Sequence, residues 1–336
     1  MRAAVYRGAG RLAAEDWPEP PIGAGEVLLR LKGCGLCGSD IAKIVDPATK
    51  VPAVFGHEVV GEVVVVGAGV ANCVVGDRVV AAHHVPCGSC HYCRRGSESM
   101  CRAFKTSNLD PGGFAEYVRV PAPNARHAMF RVPAHVRDEA ASFVEPLACC
   151  VRALRRARIE PGDTTVVVGL GSIGCLFVQL LKRAGAAVVG CDNLSDRVAL
   201  AGRLGADAGG PGDVTGQAVR MLSGGRGADQ VIVTGGGSEV LPWAADMLRD
   251  GGTVHYFAGG DGDTLPLSLE RLYHRELTIT ATYSSCPADL AEAFRLISGD
   301  EIAVERLVTH RVPLDSLASG VDLMRRREAL KVYVTP

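Results

Sequence analysis

Two kinds of apolar pattern divide the chain. From residue 59 to residue 80 valine is nearly continuous, broken by Gly61, Gly67, Gly69 and Gly76. A β-branched run cut by glycines predicts barrel-like strands rather than a helix. From about residue 145 the pattern changes to short β-branched runs alternating with helical stretches. Residues 164–168, Thr-Thr-Val-Val-Val, predict a buried parallel strand, and the helical pattern of 175–182 follows. More strands are expected at 187–191, 230–234, 252–258 and 277–282, the middle two running into Gly235–Gly237 and Gly259–Gly260. Glycines after successive strands line the crevice where a doubly wound parallel sheet holds its ligand. Strand-like residues return at Leu307. The chain therefore reads as α/β, with a β-rich part at both ends.

Composition narrows the function classes. At 336 residues the chain has room for about two domains. Hydrophobic residues are 47% and charged residues 22%, ordinary globular usage that excludes a disordered chain. The formal net charge is −1, without the basic excess of a nucleic-acid binder. The run Arg325-Arg326-Arg327 reads as a solvated helix face. Residues 63–71 form the longest uncharged apolar run of the valine-rich region, far short of the ~20 that span a bilayer. Arg7 interrupts the N-terminus before a signal-peptide apolar region can form, so the cytoplasm is the expected location. In that compartment twelve cysteines point to metal binding or catalysis before disulfides.

Four cysteines stand as Cys87-x2-Cys90-x2-Cys93-x7-Cys101. Four thiolates from one loop can close a tetrahedron around Zn²⁺ with no open position, which makes a structural site. The loop has almost no apolar residues, so the metal would supply the order that packing cannot. A ferredoxin-type cluster competes, but Arg102 stands after Cys101 where that pattern has proline. A zinc-ribbon module, encouraged by Arg94 and Arg95, is opposed by the flat charge balance. Upstream, Gly33-Cys34-Gly35-Leu36-Cys37-Gly38-Ser39-Asp40 and Gly56-His57-Glu58 offer a second set. Cys, His and Glu with one open position suit a catalytic zinc, whereas Cys34 and Cys37 alone could be a redox pair. His83 and His84, just before the cysteine loop, are left out of both sites as structural residues. Trp17 and Trp243 read as packing residues.

Between the strand at 164–168 and the following helix lies Gly169-Leu170-Gly171-Ser172-Ile173-Gly174. In that position a GxGxxG run is a dinucleotide fingerprint. Gly169 allows the tight turn, Gly171 lets backbone approach a pyrophosphate, and Gly174 permits close strand–helix contact. The helix N-terminus, with Ser172 and Ile173 in its first turn, offers free N–H groups to phosphate. Asp192 follows Gly174 by 18 residues at a strand end, where a carboxylate accepts ribose hydroxyls and repels a 2′-phosphate. NAD is therefore expected over NADP; Arg197 is expected to border the adenine, with reach to a 2′-phosphate as the alternative.

Together these motifs resemble the zinc-dependent medium-chain alcohol and polyol dehydrogenases, in particular the sorbitol and threonine dehydrogenase branch. Gly112-Gly113-Phe114-Ala115-Glu116-Tyr117, Val144-Glu145-Pro146-Leu147-Ala148 and Leu307-Val-Thr-His-Arg-Val-Pro-Leu314 extend the likeness over nearly the whole chain. It implies a GroES-like zinc catalytic domain at 1–144, completed by 287–336, around a Rossmann NAD-binding domain at 145–286. Cys37, His57 and Glu58 would hold a catalytic zinc, giving two zinc ions per chain. Glu145 would be an exchangeable fourth carboxylate, and Ser39 would start the proton path. The family often carries a relay histidine five residues after the ligand cysteine; here Ala42 stands there, and Lys43, water or another histidine would take its place.

The implied activity interconverts a secondary alcohol of a polyol, cyclitol or amino alcohol with its ketone. The alternatives are an NADPH-dependent reductase of an aminocyclitol or sugar ketone, and a non-catalytic zinc and dinucleotide sensor. A homodimer or homotetramer is expected through the strand at 277–282, with small-molecule substrates and neither nucleic acid nor membrane as partner.

Overall fold

A computed structural model describes residues 1–259 and 264–336; Gly260, from the glycine pair expected after a strand, lies outside them. The chain forms two compact units, Met1–Ala148 with Ser285–Pro336, and Cys149–Ser284. The sequence boundaries at 144/145 and 286/287 shift accordingly. Glu145, in the helix Val144–Ala157, lies in the first unit and lines a small cavity, about 10 Å³, with Glu58, Val80, Ala82 and Leu290 of that unit. Cys286 joins the same unit by capping the helix Pro287–Ser298, where its N–H donates to Asp289.

In the first unit a seven-stranded sheet carries the site. Across it run Val308–Pro313, Lys331–Thr335, Val27–Leu36, Glu58–Val66, Arg78–Ala81 and Met129–Arg131, and Tyr117–Val120 also pairs with Val27–Leu36. Leu29, Leu31, Val63, Val118, Val332 and Val334 are buried against one another. Register does the positioning: Gly35 pairs with Glu58, and Leu36 pairs with Val332. The ends of three strands thus meet where Leu36, Glu58 and Lys331 lie side by side. A smaller sheet of Leu12–Asp16, Arg2–Tyr6 and Ala53–Val54 packs into the same core.

The valine run is not strand throughout. Strands cover Glu58–Val66 and Arg78–Ala81, while Val74 and Val75 between them are exposed. Glycine chemistry breaks the run. A Cβ on Gly67 would lie 2.1 Å from the Gly23 carbonyl, so this close backbone approach admits no side chain. Gly76 turns the chain back with φ +91°.

The second unit is a six-stranded parallel sheet in the order Ala208–Gly210, Ala187–Cys191, Thr164–Val168, Ala228–Val233, Leu248–Tyr256, Thr278–Ala281. Thr164–Val168 sits at its centre with every residue buried, as a near-continuous β-branched run requires. Two strands begin earlier than their apolar pattern, at Ala228 and Leu248. Ala228 pairs with Leu248, the register then shifts, and pairing resumes at Gln230 with Thr253; Asp229 and Arg249, between these pairs, bond each other through their side chains. An antiparallel-rich unit built from both ends of the chain and a parallel-sheet unit from its middle give the expected α/β architecture. No helix among the described residues is long and apolar enough to cross a membrane.

Candidate active site and dinucleotide loop

Cys87, Cys90, Cys93 and Cys101 present four sulfurs that all lie within 4.8 Å of one another. Cys90 and Cys93 sulfurs are 3.5 Å apart, and those of Cys87 and Cys93 are 4.0 Å apart. Zn–S bonds of about 2.3 Å put tetrahedral sulfurs about 3.8 Å apart, close to these two separations, so the donor set suits zinc. The short helix His91–Arg94 and the turn Glu98–Met100 fold the loop around them. The N–H groups of Ser89 and Cys90, with the Ser89 hydroxyl and Cys101, hold the Cys87 thiol down at about 6. Tyr92 and Met100 are exposed, so little apolar packing orders this lobe.

The second set is buried and built by the sheet. Cys37 follows the strand Val27–Leu36 and caps the helix Gly38–Val45. Asp40, fully buried in the first turn, accepts the N–H groups of Cys37 at 3.1 Å and Gly56 at 3.2 Å. Its Oδ1 also stands 3.3 Å from Nδ1 of His57. This contact orients the imidazole and leaves Nε2 for a metal. Burial works against charge on both partners, but each outweighs it for the other: His57 is held well above the ordinary histidine pKa, with help from Cys37, and Asp40 below the ordinary carboxylate range.

Glu58 is held from the other end of the chain. Lys331 Nζ donates to its two oxygens at 2.6 and 2.7 Å, and to the Leu36 carbonyl at 3.4 Å. Burial lowers the affinity of Lys331 for its proton, yet the charges of Glu58 and Cys37 raise it further, above the ordinary lysine range. A Cβ on Gly35 would lie 1.8 Å from a Glu58 oxygen, so the ion pair fits only beside glycine. Ligand atoms of Cys37, His57 and Glu58 come within 4.8 Å of one another, a donor set suited to zinc.

Sequence reasoning missed Lys331, although a lone lysine in the apolar strand Lys331–Thr335 was a visible signal. It also set aside His83, whose ring centroid lies 4.6 Å from that of His57 and whose Nδ1 is 4.0 Å from the buried Glu145 carboxylate. His83 packs against His84 at 3.8 Å, and His84 against Phe104 at 4.7 Å, both pairs tilted, so that tilted rings lead from His57 toward the cysteine lobe. Burial pushes His83 well below the ordinary histidine pKa, aided by His57, His84 and Lys43. His84 falls to about 4 for the same first reason, burial, although its bond to the Ser107 carbonyl opposes the fall. Ser39 and Lys43 are exposed on one helix, four residues apart and hence on one face. Lys43 Nζ stands 6.0 Å from the centre of the Phe55 ring.

In the second unit the fingerprint glycines have three different jobs. Gly169 turns with φ +86°, and a Cβ there would meet the Gly235 nitrogen at 3.0 Å. A Cβ on Gly174 would lie 1.9 Å from the Gly169 carbonyl, whereas Gly171 has open space around it. Gly171 precedes the helix Ser172–Arg183, whose first turn contains Ser172 and Ile173. Thr234, also unforeseen, donates its hydroxyl to the Gly169 carbonyl at 2.7 Å and fixes the turn. Asp192 accepts the N–H of Leu170 at 2.8 Å and of Leu194 at 2.9 Å, which ties it to the same loop. Arg197 stands 3.8 Å from its carboxylate.

Residues 23–133 match the alcohol dehydrogenase GroES-like domain, and residues 172–299 match the zinc-binding dehydrogenase domain. The chain is 32% identical over 346 aligned positions to a sorbitol dehydrogenase of Halalkalibacterium halodurans, covering 100% of this chain and 99% of that one. Among solved structures, alcohol dehydrogenase TADH from Thermus sp. ATN1 superposes with a TM-score of 0.89 at 29% identity, covering 100% of this chain and 99% of its own. A zinc-binding dehydrogenase from Sinorhizobium meliloti 1021 bound to NADP gives 0.88 at 27%, with the same coverage. The chain belongs to the zinc-dependent alcohol dehydrogenase family and is an oxidoreductase.

Proposed function

We propose that the enzyme interconverts a secondary alcohol of a polyol, cyclitol or amino alcohol with its ketone, using NAD as hydride carrier. The buried set of Cys37, His57 and Glu58, oriented by Asp40 and Lys331, carries this reading. Zinc bound there supplies a Lewis acid that favours the alkoxide over the alcohol, and NAD supplies the hydride acceptor. Cys37, His57 and Glu58 hold the metal, and Glu145 is the exchangeable carboxylate beside it. Ser39 accepts the hydroxyl proton and passes it outward, where exposed Lys43 or water takes it. The helix N-terminus at Ser172 and Ile173 receives the pyrophosphate, and Asp192 accepts the adenosine ribose hydroxyls. The cysteine lobe holds a second, structural zinc.

The edge strand Thr278–Ala281, with Tyr273 and Tyr283 exposed nearby, supports a homodimer or homotetramer through that edge. An NADPH-linked ketone reductase is the second reading. Arg197 favours it, because its guanidinium lies near enough to Asp192 to offset that charge.

Zinc per chain, cofactor titration and a polyol panel test the proposal together. Two zinc ions, tighter binding of NADH than NADPH, and oxidation of a secondary alcohol are expected. One zinc in fully metallated protein leaves only the lobe and ends the catalytic reading. Glu145→Gln should keep full zinc while kcat falls on the order of tenfold, the scale of groups that support a metal site.

A further inference from the structure

Among the polar groups around the donor set, His83 Nδ1 is the one that the roles above leave unexplained. It is buried and has no hydrogen-bond partner among the described residues. The ring is fixed by its neighbours, with His57 on one side at 4.6 Å and His84 on the other at 3.8 Å. Packing alone would be served as well by a phenyl ring, so packing does not account for the nitrogen. Nor does His83 join the donor cluster, which comprises Cys37, His57 and Glu58. Glu145 Oε1 faces Nδ1 at 4.0 Å, about 1 Å beyond an N–H···O bond. Rotation within the glutamate side chain closes that gap, and a carboxylate facing Nδ1 selects the tautomer that carries its proton there.

We infer that His83 is a positioning residue for Glu145, its Nδ1–H receiving the carboxylate whenever that group is off the metal. The exchangeable ligand then has a second defined position, and its donor is the His83 nitrogen that packing leaves unexplained. Ligand exchange becomes a transfer between two partners. The inference rests on the exchangeable role proposed for Glu145.

Four zinc-loaded variants test it: His83→Phe, His83→Asn, Glu145→Ala and the double variant His83→Phe/Glu145→Ala. Alanine is used because glutamine would still accept the bond. His83→Phe keeps an aromatic ring and should lower kcat about tenfold, with zinc content and NAD affinity unchanged. His83→Asn places an N–H near the lost one and should recover most of the rate. In the Glu145→Ala background His83→Phe should add nothing. Histidine-selective ¹⁵N labelling of the wild-type protein should show Nδ1–H at His83, and it decides the case should His83→Phe not fold. A full additional loss on top of Glu145→Ala, no rescue by asparagine, or an Nε2–H tautomer would overturn the inference. Undiminished turnover in Glu145→Ala overturns the role given to Glu145 itself, a separate result.

Discussion

The cysteine lobe and the Cys37–His57–Glu58 set offer ligands for the same metal, yet they are ordered by opposite means. In the lobe all donors come from residues 87–101, on a loop with exposed Tyr92 and Met100. Exposed apolar side chains there give little packing, so a bound metal would supply the order. In the other set the register of three strands brings Glu58 to Lys331 across a separation of 273 residues, and both are buried. There the fold holds the ligands. On the proposed reading, one site would depend on its metal for structure, and the other would offer the metal a structure already made.

The largest effect should follow from breaking the lobe. Structural zinc in small domains is worth about 10–16 kcal/mol of apparent binding energy, which is folding energy where packing is thin. Cys101→Ala should lose one zinc per chain and open residues 87–101 to proteolysis, while the Cys37 set keeps its metal. Metal analysis and limited digestion measure both. Loss of both ions would show that the two sites do not stand apart in the way the geometry implies.

That contrast also explains what the sequence revealed. Cysteines at three-residue steps, glycines at 169, 171 and 174, and the β-branched run at 164–168 are local signals, because each function needs those residues close together along the chain. Lys331 was invisible as a partner because nothing near it in sequence names Glu58; only the pairing of Leu36 with Val332 and of Gly35 with Glu58 does. His83 looked like one of two ordinary histidines beside a cysteine loop. Its neighbours His57 and Glu145 lie 26 and 62 residues away in sequence. Glu145 reads as a helix-start residue and stands in the first turn of the helix Val144–Ala157, which runs through the division between the two units, so its pattern gives no sign of where one unit ends.

The next effect should come from the partner of Glu58. Lys331→Met keeps much of the side-chain volume and removes the charge, leaving a buried carboxylate without its counter-ion. Breaking a buried pair in this way costs about 3–5 kcal/mol. Urea unfolding of the zinc-free protein should show that loss, and zinc should restore part of it because the metal replaces the missing positive charge. A loss below about 1 kcal/mol, the range of exposed ion pairs, would mean that Glu58 has water or another partner.

The smallest effect is the most specific, and it concerns Asp40. Its Oδ2 accepts the Cys37 N–H, while its Oδ1 accepts the Gly56 N–H and faces His57 Nδ1. Asparagine can keep one of these oxygens as an acceptor but must put an NH2 group in place of the other and lose the charge. With the oxygen retained toward His57, the amide faces the Cys37 N–H, donor against donor; flipped, it abandons His57. Either way one metal ligand loses its orientation. Groups of this kind change metal affinity by about 10–100-fold, or about 1.4–2.7 kcal/mol. Chelator competition should therefore show weaker zinc at the Cys37 set and unchanged zinc in the lobe. The pH dependence of the zinc-free protein adds a second mark. Asp40 has a lowered pKa, so its contribution is present above the ordinary carboxylate range and fades as pH falls through the lowered value. His57 has a raised one, so its contribution is present below the ordinary histidine value and fades as pH rises through the raised value. Wild-type stability should thus fall at both ends of that window, and Asp40→Asn should flatten both falls. If zinc weakens equally at both sites, Asp40 supports the whole unit and not the orientation of one ligand.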